Sequence, residues 1–379
     1  MARYGLTFLV LAWMVLGIYF PLYAAENIPT TDIIETIRRH ALFVPPVKEQ
    51  EFFLQSADTP ARVQGFLRRF DRYAHFYTAE EYAGLIRAQR AVWAGVGMEI
   101  VRDRTGSIVC VPYPDSPAAL AGLIYGDRLL KVDGRTVSEL ELEDIAALVR
   151  GEAGSPVSLH VERPDGKFLI FSLQRARTRL PTVRLEASVG GRTRVRIYRF
   201  GPTTLAELTN TLSQAAPAQS LILDLRGNTG GDMQAGVDGA ALFLPKGASL
   251  LHRFSRAGEQ REDVKQDGPY AGLSVYIWQD ELTASAAELF IAALTQRDRA
   301  VGLGRRTAGK AMAQEFFKLS DKSLLKLTVD KLLFPDSASS WQDTGIHPGI
   351  ETGKQLDYTD ALYAGHMPEP DKEEGRILP

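Results

Sequence analysis

Leu221-Ile-Leu-Asp-Leu-Arg-Gly-Asn-Thr-Gly-Gly231 decides the fold. Its apolar first half reads as a strand. Its second half is a polar, glycine-rich turn, and a helical pattern follows over 231–243. A strand feeding a tight turn and then a helix is the unit of an α/β sheet, and ligands bind at the carboxyl ends of such strands. Working outward, Val195-Arg-Ile-Tyr198 and Ser274-Val-Tyr-Ile-Trp278 are further strand-like runs, and 203–214 and 286–295 fit helices. Gly230 and Gly231 would suit a phosphate cradle, but no Gly-Lys-Ser/Thr ending follows them.

Two residues downstream carry chemistry. Ser285 opens Ser285-Ala-Ala-Glu288 after the apolar run 273–279, and Lys310 closes Arg305-Arg-Thr-Ala-Gly-Lys310 after Ala300-Val-Gly-Leu-Gly304. Ser-x-x-Glu before Leu289-Phe-Ile-Ala-Ala-Leu294 is also a helix capping box, and a lysine beside a glycine is also a solvated turn residue. A serine at a strand-to-helix turn nevertheless presents its hydroxyl where helix N–H groups can hold an oxyanion. A lysine whose pKa is lowered by burial can take the serine's proton. Together they suggest a Ser-Lys hydrolase.

The surrounding motifs sharpen this. Asp224-Leu-Arg-Gly-Asn-Thr-Gly-Gly231, Thr283-Ala-Ser-Ala-Ala-Glu288, Thr307-Ala-Gly-Lys-Ala-Met-Ala-Gln314 and Gly345-Ile-His-Pro-Gly349 stand in one order. Over 221–350 the chain resembles the carboxyl-terminal processing (tail-specific) serine proteases. That resemblance implies Ser285 as nucleophile, Lys310 as general base and Gln314 as the third catalytic position. It also places Gly230, Gly231 and Ala286 around the oxyanion. Four positions depart from the family pattern: Ala287 stands for a serine, Ala308 for a phenylalanine, Ala311 for a glycine and Gly349 for an aspartate. None removes the nucleophile or base; Ala311 lacks the freedom of glycine beside the lysine.

The rest of the chain divides around this core. Residues 1–25 have the charged, apolar and small-residue order of a secretory signal: Arg3, the run 6–20, then Ala24-Ala25. Export to a bacterial periplasm or cell exterior is expected, with an anchored form if the segment is retained. Residues 26–90 are helical in pattern, starting at Thr31, and Phe70–Tyr82 resembles the family segment that precedes its PDZ domain. Residues 91–175 resemble that PDZ domain, through Gly95-Val-Gly-Met-Glu-Ile100, Ser116-Pro-Ala-Ala-Leu-Ala-Gly-Leu123 and Tyr125-Gly-Asp-Arg-Leu-Leu-Lys-Val-Asp-Gly134. Amides of Gly95, Val96 and Gly97 would hold a peptide's terminal carboxylate while the peptide adds a strand along Met98 to Ile100. Arg163, at the end of the strand 157–161, is either a solvated hairpin-rim residue or a link that couples PDZ to core. The core is expected over 176–355, and the charged, Pro-containing tail over 356–379 is expected to be partly disordered. The expected fold class is α/β and α+β, multidomain: N-terminal helices, a PDZ domain and an α/β protease core.

Composition narrows the partners. Lys and Arg total 44 against 46 Asp and Glu, which leaves no basic excess for a nucleic-acid face. The six histidines are scattered without metal-ligand spacing, so neither metal nor cofactor is implied. The single Cys110 lies in an apolar run and reads as an inert buried thiol. The function expected is a serine endopeptidase that recognises protein C-termini and cleaves exported proteins, with room for an adaptor protein or a homo-oligomer. The alternative is a catalytically degenerate, PDZ-containing binding or scaffold protein.

Overall fold

The structure is a computed structural model describing residues 28–90, 94–177, 181–189, 192–215, 220–295 and 298–352. The signal-like segment and the tail lie outside the described residues, among which no helix is long and apolar enough to cross a membrane.

Three helices open the described chain: Thr30–His40 (α1), Val47–Ser56 (α2) and Pro60–Phe70 (α3). Helix α1 begins one residue before Thr31, after Pro29 and without a side-chain cap. Helix α3 has Thr59 as its cap, accepting from the Arg62 amide, and Pro60 in its first turn, where a missing N–H costs nothing. Their apolar stripes meet around Ile33, Ile37, Phe53, Val63 and Phe66, and Leu325 and Leu327 from a distant strand complete the cluster. Strand His75–Tyr77 (β1) and helix Ala79–Arg90 (α4) follow.

The second unit is an antiparallel sheet of Met98–Arg102 (β2), Ile108–Pro112 (β3), Arg128–Val132 (β4), Arg135–Thr136 (β5), Pro156–Glu162 (β6) and Phe168–Gln174 (β7). Two helices, Pro117–Leu120 (α5) and Leu142–Val149 (α6), pack onto it. The strand order is β2-β3-β4-β6-β7, so β2 has one free edge, with α6 beside it. Val157, Leu159 and Val161 alternate into the core with Cys110 and Ile145, the pattern of a sheet buried on one face. Burial pushes the Cys110 thiol far above its ordinary pKa, so it stays protonated and inert.

The third unit combines Val183–Val189 (β8), Arg192–Ile197 (β9), Thr204–Gln214 (α7), Ser220–Asp224 (β10), Met233–Ala241 (α8), Ser249–Ser255 (β11) and Gly258–Asp263 (β12). Ser274–Gln279 (β13), Ala286–Thr295 (α9), Ala300–Gly304 (β14), Met312–Lys318 (β15), Leu324–Leu333 (β16) and Ile350–Glu351 (β17) complete it. One sheet runs β17-β14-β13-β10-β9-β8, with every neighbouring pair parallel except β8 and β9. Side-chain alternation sorts its faces. Leu221, Leu223, Val275 and Ile277 join the helices α7, α8 and α9 in the main core, while Ile222, Tyr276 and Trp278 form a cluster on the other face. Helix α9 is apolar all round, and every residue from Ala286 to Leu294 is buried.

A separate antiparallel sheet runs β1-β16-β11-β12, with β15 also on β16. Through β1 the N-terminal region is stitched into this sheet: His75, Phe76 and Tyr77 pair with Lys326, Leu325 and Leu324.

Candidate active site

The nucleophile turn is built where β13 gives way to α9. Asp280, fully withdrawn from solvent, accepts at Oδ1 from the amides of Gly227, Leu282 and Thr283. The Thr283 hydroxyl donates to the Leu225 carbonyl at 2.9 Å, and the Ala284 amide donates to the Asn228 carbonyl. These bonds lock the turn onto the glycine-rich loop after β10. At its tip Ser285 takes φ 59°, the left-handed region that costs a non-glycine residue about 1–3 kcal/mol and persists only where the surroundings enforce it. Only half of the capping box forms: the Ser285 amide donates to Glu288 Oε2 at 2.9 Å. Among the described residues the Ser285 hydroxyl caps no amide.

Glu288 joins that turn to the base. Its buried carboxylate receives the amides of Ser285 and Lys310 on Oε2, at 2.9 and 2.8 Å. On Oε1 it receives the Gly309 amide at 2.7 Å and the Thr307 hydroxyl. One side chain therefore fixes the backbones of Ser285 and Lys310 relative to each other. Burial pushes the Glu288 carboxyl above its ordinary range, and the four donors pull against that. The Thr307 hydroxyl also receives the Ile346 amide, while Gly309 O receives the Asp343 amide, so the base loop is held from both ends.

Lys310 is partly buried, and burial is the main reason that its amine sits below the usual lysine pKa. Lys326 pushes in the same direction, and Glu288 in the opposite one. Among the described residues neither an acceptor nor a carboxylate holds Nζ; it lies 5.7 Å over the Tyr73 ring. Ala311, which replaces a glycine, adopts no positive φ and packs in the main core, so the backbone accommodates it there. Ala287 is likewise buried in apolar surroundings.

The glycine loop closes over the serine. Gly230 and Gly231 have φ of 97° and 126°. A Cβ on Gly230 would lie 2.7 Å from Ser285 Cβ and from the Ala286 nitrogen; one on Gly231 would lie 2.0 Å from the Phe200 carbonyl oxygen. Only glycine tolerates that approach. The Gly230 amide donates to the Asn228 side chain at 2.9 Å and so is already engaged. The amides of Gly231 and Ala286 have no acceptor among the described residues.

Gln314 lies on β15 beside a bulge between Ala313 and Gln314, and its amide donates to the Met312 carbonyl at 2.9 Å rather than engaging Lys310. In the second unit, the Gly95 amide is committed to Ala176, whereas those of Val96 and Gly97 carry no bond. Met98 and Ile100 lie on the free-edged β2 and are partly buried against the domain core.

Arg163 does not reach the protease core. Its guanidinium forks onto buried Asp127, at 3.0 and 3.1 Å, and onto the Gly122 carbonyl, all inside its own domain. Contacts that do cross to the core come from other residues, two of which, Glu99 and Tyr125, lie inside the PDZ-like motifs. Glu99 on β2 accepts from the Thr229 hydroxyl at 3.0 Å, Tyr125 donates to Asp280, and Arg104 donates to the Thr307 and Ala308 carbonyls at 2.7 and 3.0 Å. Each ends on a loop of the active site.

Comparison with known proteins agrees with this geometry. The peptidase family S41 model matches residues 193–352, and a PDZ-domain model matches 108–163. The chain is 29% identical to the carboxy-terminal processing protease CtpA of Bacillus subtilis over 82% of its length and 68% of the relative's. It is 30% identical to the carboxyl-terminal-processing protease of Synechocystis, covering 73% of this chain and 67% of that one. The solved photosystem II D1 C-terminal processing protease superposes with a TM-score of 0.72 at 25% identity, over 85% of this chain and 92% of its own. A relative 30% identical over two thirds of its own length shows the family: the chain belongs to the carboxyl-terminal processing proteases of peptidase family S41, with a PDZ domain ahead of the protease core.

Proposed function

We propose that this chain is a Ser-Lys endopeptidase that selects exported proteins by their C-termini. Ser285 attacks the scissile carbonyl, and neutral Lys310 takes the hydroxyl proton and later returns it to the leaving amine. The amides of Gly231 and Ala286 receive the oxyanion, with Gly230 shaping the loop. Gln314 orients Lys310 once substrate is bound, since catalytic hydrogen bonds commonly tighten only in the substrate complex. The observation that carries the reading is the Glu288 carboxylate, which accepts the backbone amides of nucleophile and base on one oxygen. Its support comes with a strained Ser285 whose hydroxyl is not used as a cap.

The free edge of β2, with the unengaged amides of Val96 and Gly97 at its start, suits an added peptide strand ending in a carboxylate. Arg163 bears on the core at one remove, by fixing the loop that carries Tyr125. The charged and apolar N-terminal order supports action in a periplasm or at the cell exterior. The test is labelling by a serine-directed fluorophosphonate together with cleavage of an unfolded protein. Both should vanish in Ser285→Ala, and cleavage should vanish in Lys310→Ala; wild-type protein that neither labels nor cleaves would make the chain a scaffold instead.

A further inference from the structure

We infer that Tyr73, from the N-terminal region, is a positioning residue for the general base: its ring walls the pocket of Lys310 and receives the ammonium formed when the amine takes the serine's proton. This rests on the Ser-Lys reading and deepens it. Three observations carry it. The Lys310 Nζ lies 5.7 Å over the Tyr73 ring, and no acceptor or carboxylate holds that nitrogen among the described residues. The Tyr73 hydroxyl accepts from Gln342 Nε2 at 3.1 Å, while Gln342 Oε1 accepts from the Ala311 amide at 2.8 Å, so ring and base loop are tied through one side chain. The ring's own turn is rigid: the Tyr73 amide donates to buried Asp71, which also accepts from the amide and hydroxyl of Thr328 on β16, at 2.7 and 2.9 Å.

A lysine amine is neutral near neutral pH only where burial disfavours its charged form, and a ring face excludes water without adding a charge. The same face attracts a cation, so it favours the ammonium once proton transfer has begun. The charged groups around Nζ are Lys326 from β16, which disfavours the ammonium, and Glu288 from α9, which favours it. Arg72 also lies over this ring, with Cζ 4.9 Å from its centroid; it donates to the Tyr73 hydroxyl at 2.8 Å and is paired with Asp343. Tyr73 is thus the neutral partner among these charges, and it comes from a segment otherwise concerned with packing.

The experiment is the pH profile of kcat and kcat/KM on an unfolded protein substrate, for the full chain and variants. Tyr73→Ala should lower kcat by roughly tenfold, in the range a cation–π contact is worth, leave KM near the wild-type value, and move the acid limb to higher pH as water reaches Lys310. Tyr73→Phe should keep both rate and limb. Tyr73→Leu covers the case of an Ala variant that does not fold: it fills the space without a π face, so kcat should fall and the limb should move to lower pH, because the ammonium loses the face that favoured it. A Leu variant as fast as wild type, or a Phe variant as slow as Ala, overturns the inference. Lys310→Ala run alongside separates the two levels: if it still cleaves, the Ser-Lys reading fails; if it is dead while Tyr73→Ala behaves as wild type, only the role of Tyr73 fails.

Discussion

At the scale of single residues, protonation decides activity. Lys310 must be neutral to accept a proton, and burial lowers its pKa, so activity should rise with pH along a limb lying below the ordinary lysine value of about 10.4. Lys310→Arg keeps the charge yet should be inactive, because a guanidinium does not give up its proton in this range. A pH–rate profile on the wild type and an endpoint assay on the variant check both; an active arginine variant would show that charge alone is needed. Glu288→Gln is more instructive. It keeps the volume, but an amide offers one acceptor oxygen where the carboxylate holds four donors on two. Leaving buried amides of Ser285, Gly309 or Lys310 without a partner costs about 1–3 kcal/mol each. We expect a lower Tm together with a loss of kcat, whereas an ordinary capping residue would cost about 1 kcal/mol of stability and no catalysis. Ser285 and Lys310 were legible in the sequence because each stands in a motif. The role of Glu288 was not, because Ser-x-x-Glu looks the same whether the glutamate caps a helix or bridges two loops.

Elements differ in how openly they announce themselves. The parallel strands β10 and β13 and the helix α9 could be placed from apolar runs alone, whereas β9 alternates arginines with buried Thr193, Val195 and Ile197. The antiparallel sheet escaped sequence reading. Strand β12 is Gly-Glu-Gln-Arg-Glu-Asp, with no apolar residue to mark it, and it survives as a charged edge paired only to β11. Strand β15 mixes exposed Glu315 and Phe316 with half-buried neighbours, so its period is blurred. Glycine placement predicts consequences at this scale. Gly231→Ala puts a methyl 2.0 Å from a backbone oxygen that cannot move without β9 and α8, so the loop must rebuild. Its unfolding midpoint in urea should fall markedly and activity should be lost with it. Phe290→Ala, inside α9, should cost roughly 3–5 kcal/mol as a cavity opens, but a variant that still folds should retain fluorophosphonate labelling, because Phe290 packs away from the serine turn against Phe200 and Phe243. Stability and labelling measured on the same preparations separate the two effects.

The whole molecule is organised around loops that the units share. The N-terminal region lends Tyr73 to the base, and the PDZ domain sets Glu99, Arg104 and Tyr125 against the turns of oxyanion, base and nucleophile. From the sequence Arg163 reads as either a solvated rim residue or, by the family resemblance, such a link. Register, which the sequence does not reveal, decides instead which hairpin faces the core. Arg104 sits at the tip of the β2–β3 hairpin, whose turn is fixed by Asp103 accepting from the Thr105 and Ser107 amides. The tip is therefore rigid, and its guanidinium holds two carbonyls just ahead of Lys310. A hydrogen bond from a charged donor is worth about 1.5–3 kcal/mol, and less where water competes, as it does at this partly exposed site. Losing both should shift the balance between docked and undocked PDZ by roughly tenfold. We expect Arg104→Ala to lower kcat several-fold while leaving KM and the affinity for a C-terminal peptide unchanged, because Arg104 lies at the far end of β2 from the Val96–Gly97 amides. Turnover on the active enzyme and peptide affinity in a Ser285→Ala background, each with and without Arg104→Ala, separate the outcomes. Equal turnover would reduce Arg104 to a surface contact. Weakened peptide binding would mean that the hairpin shapes the peptide groove, and only a rate loss at constant affinity marks it as the strut between PDZ domain and base.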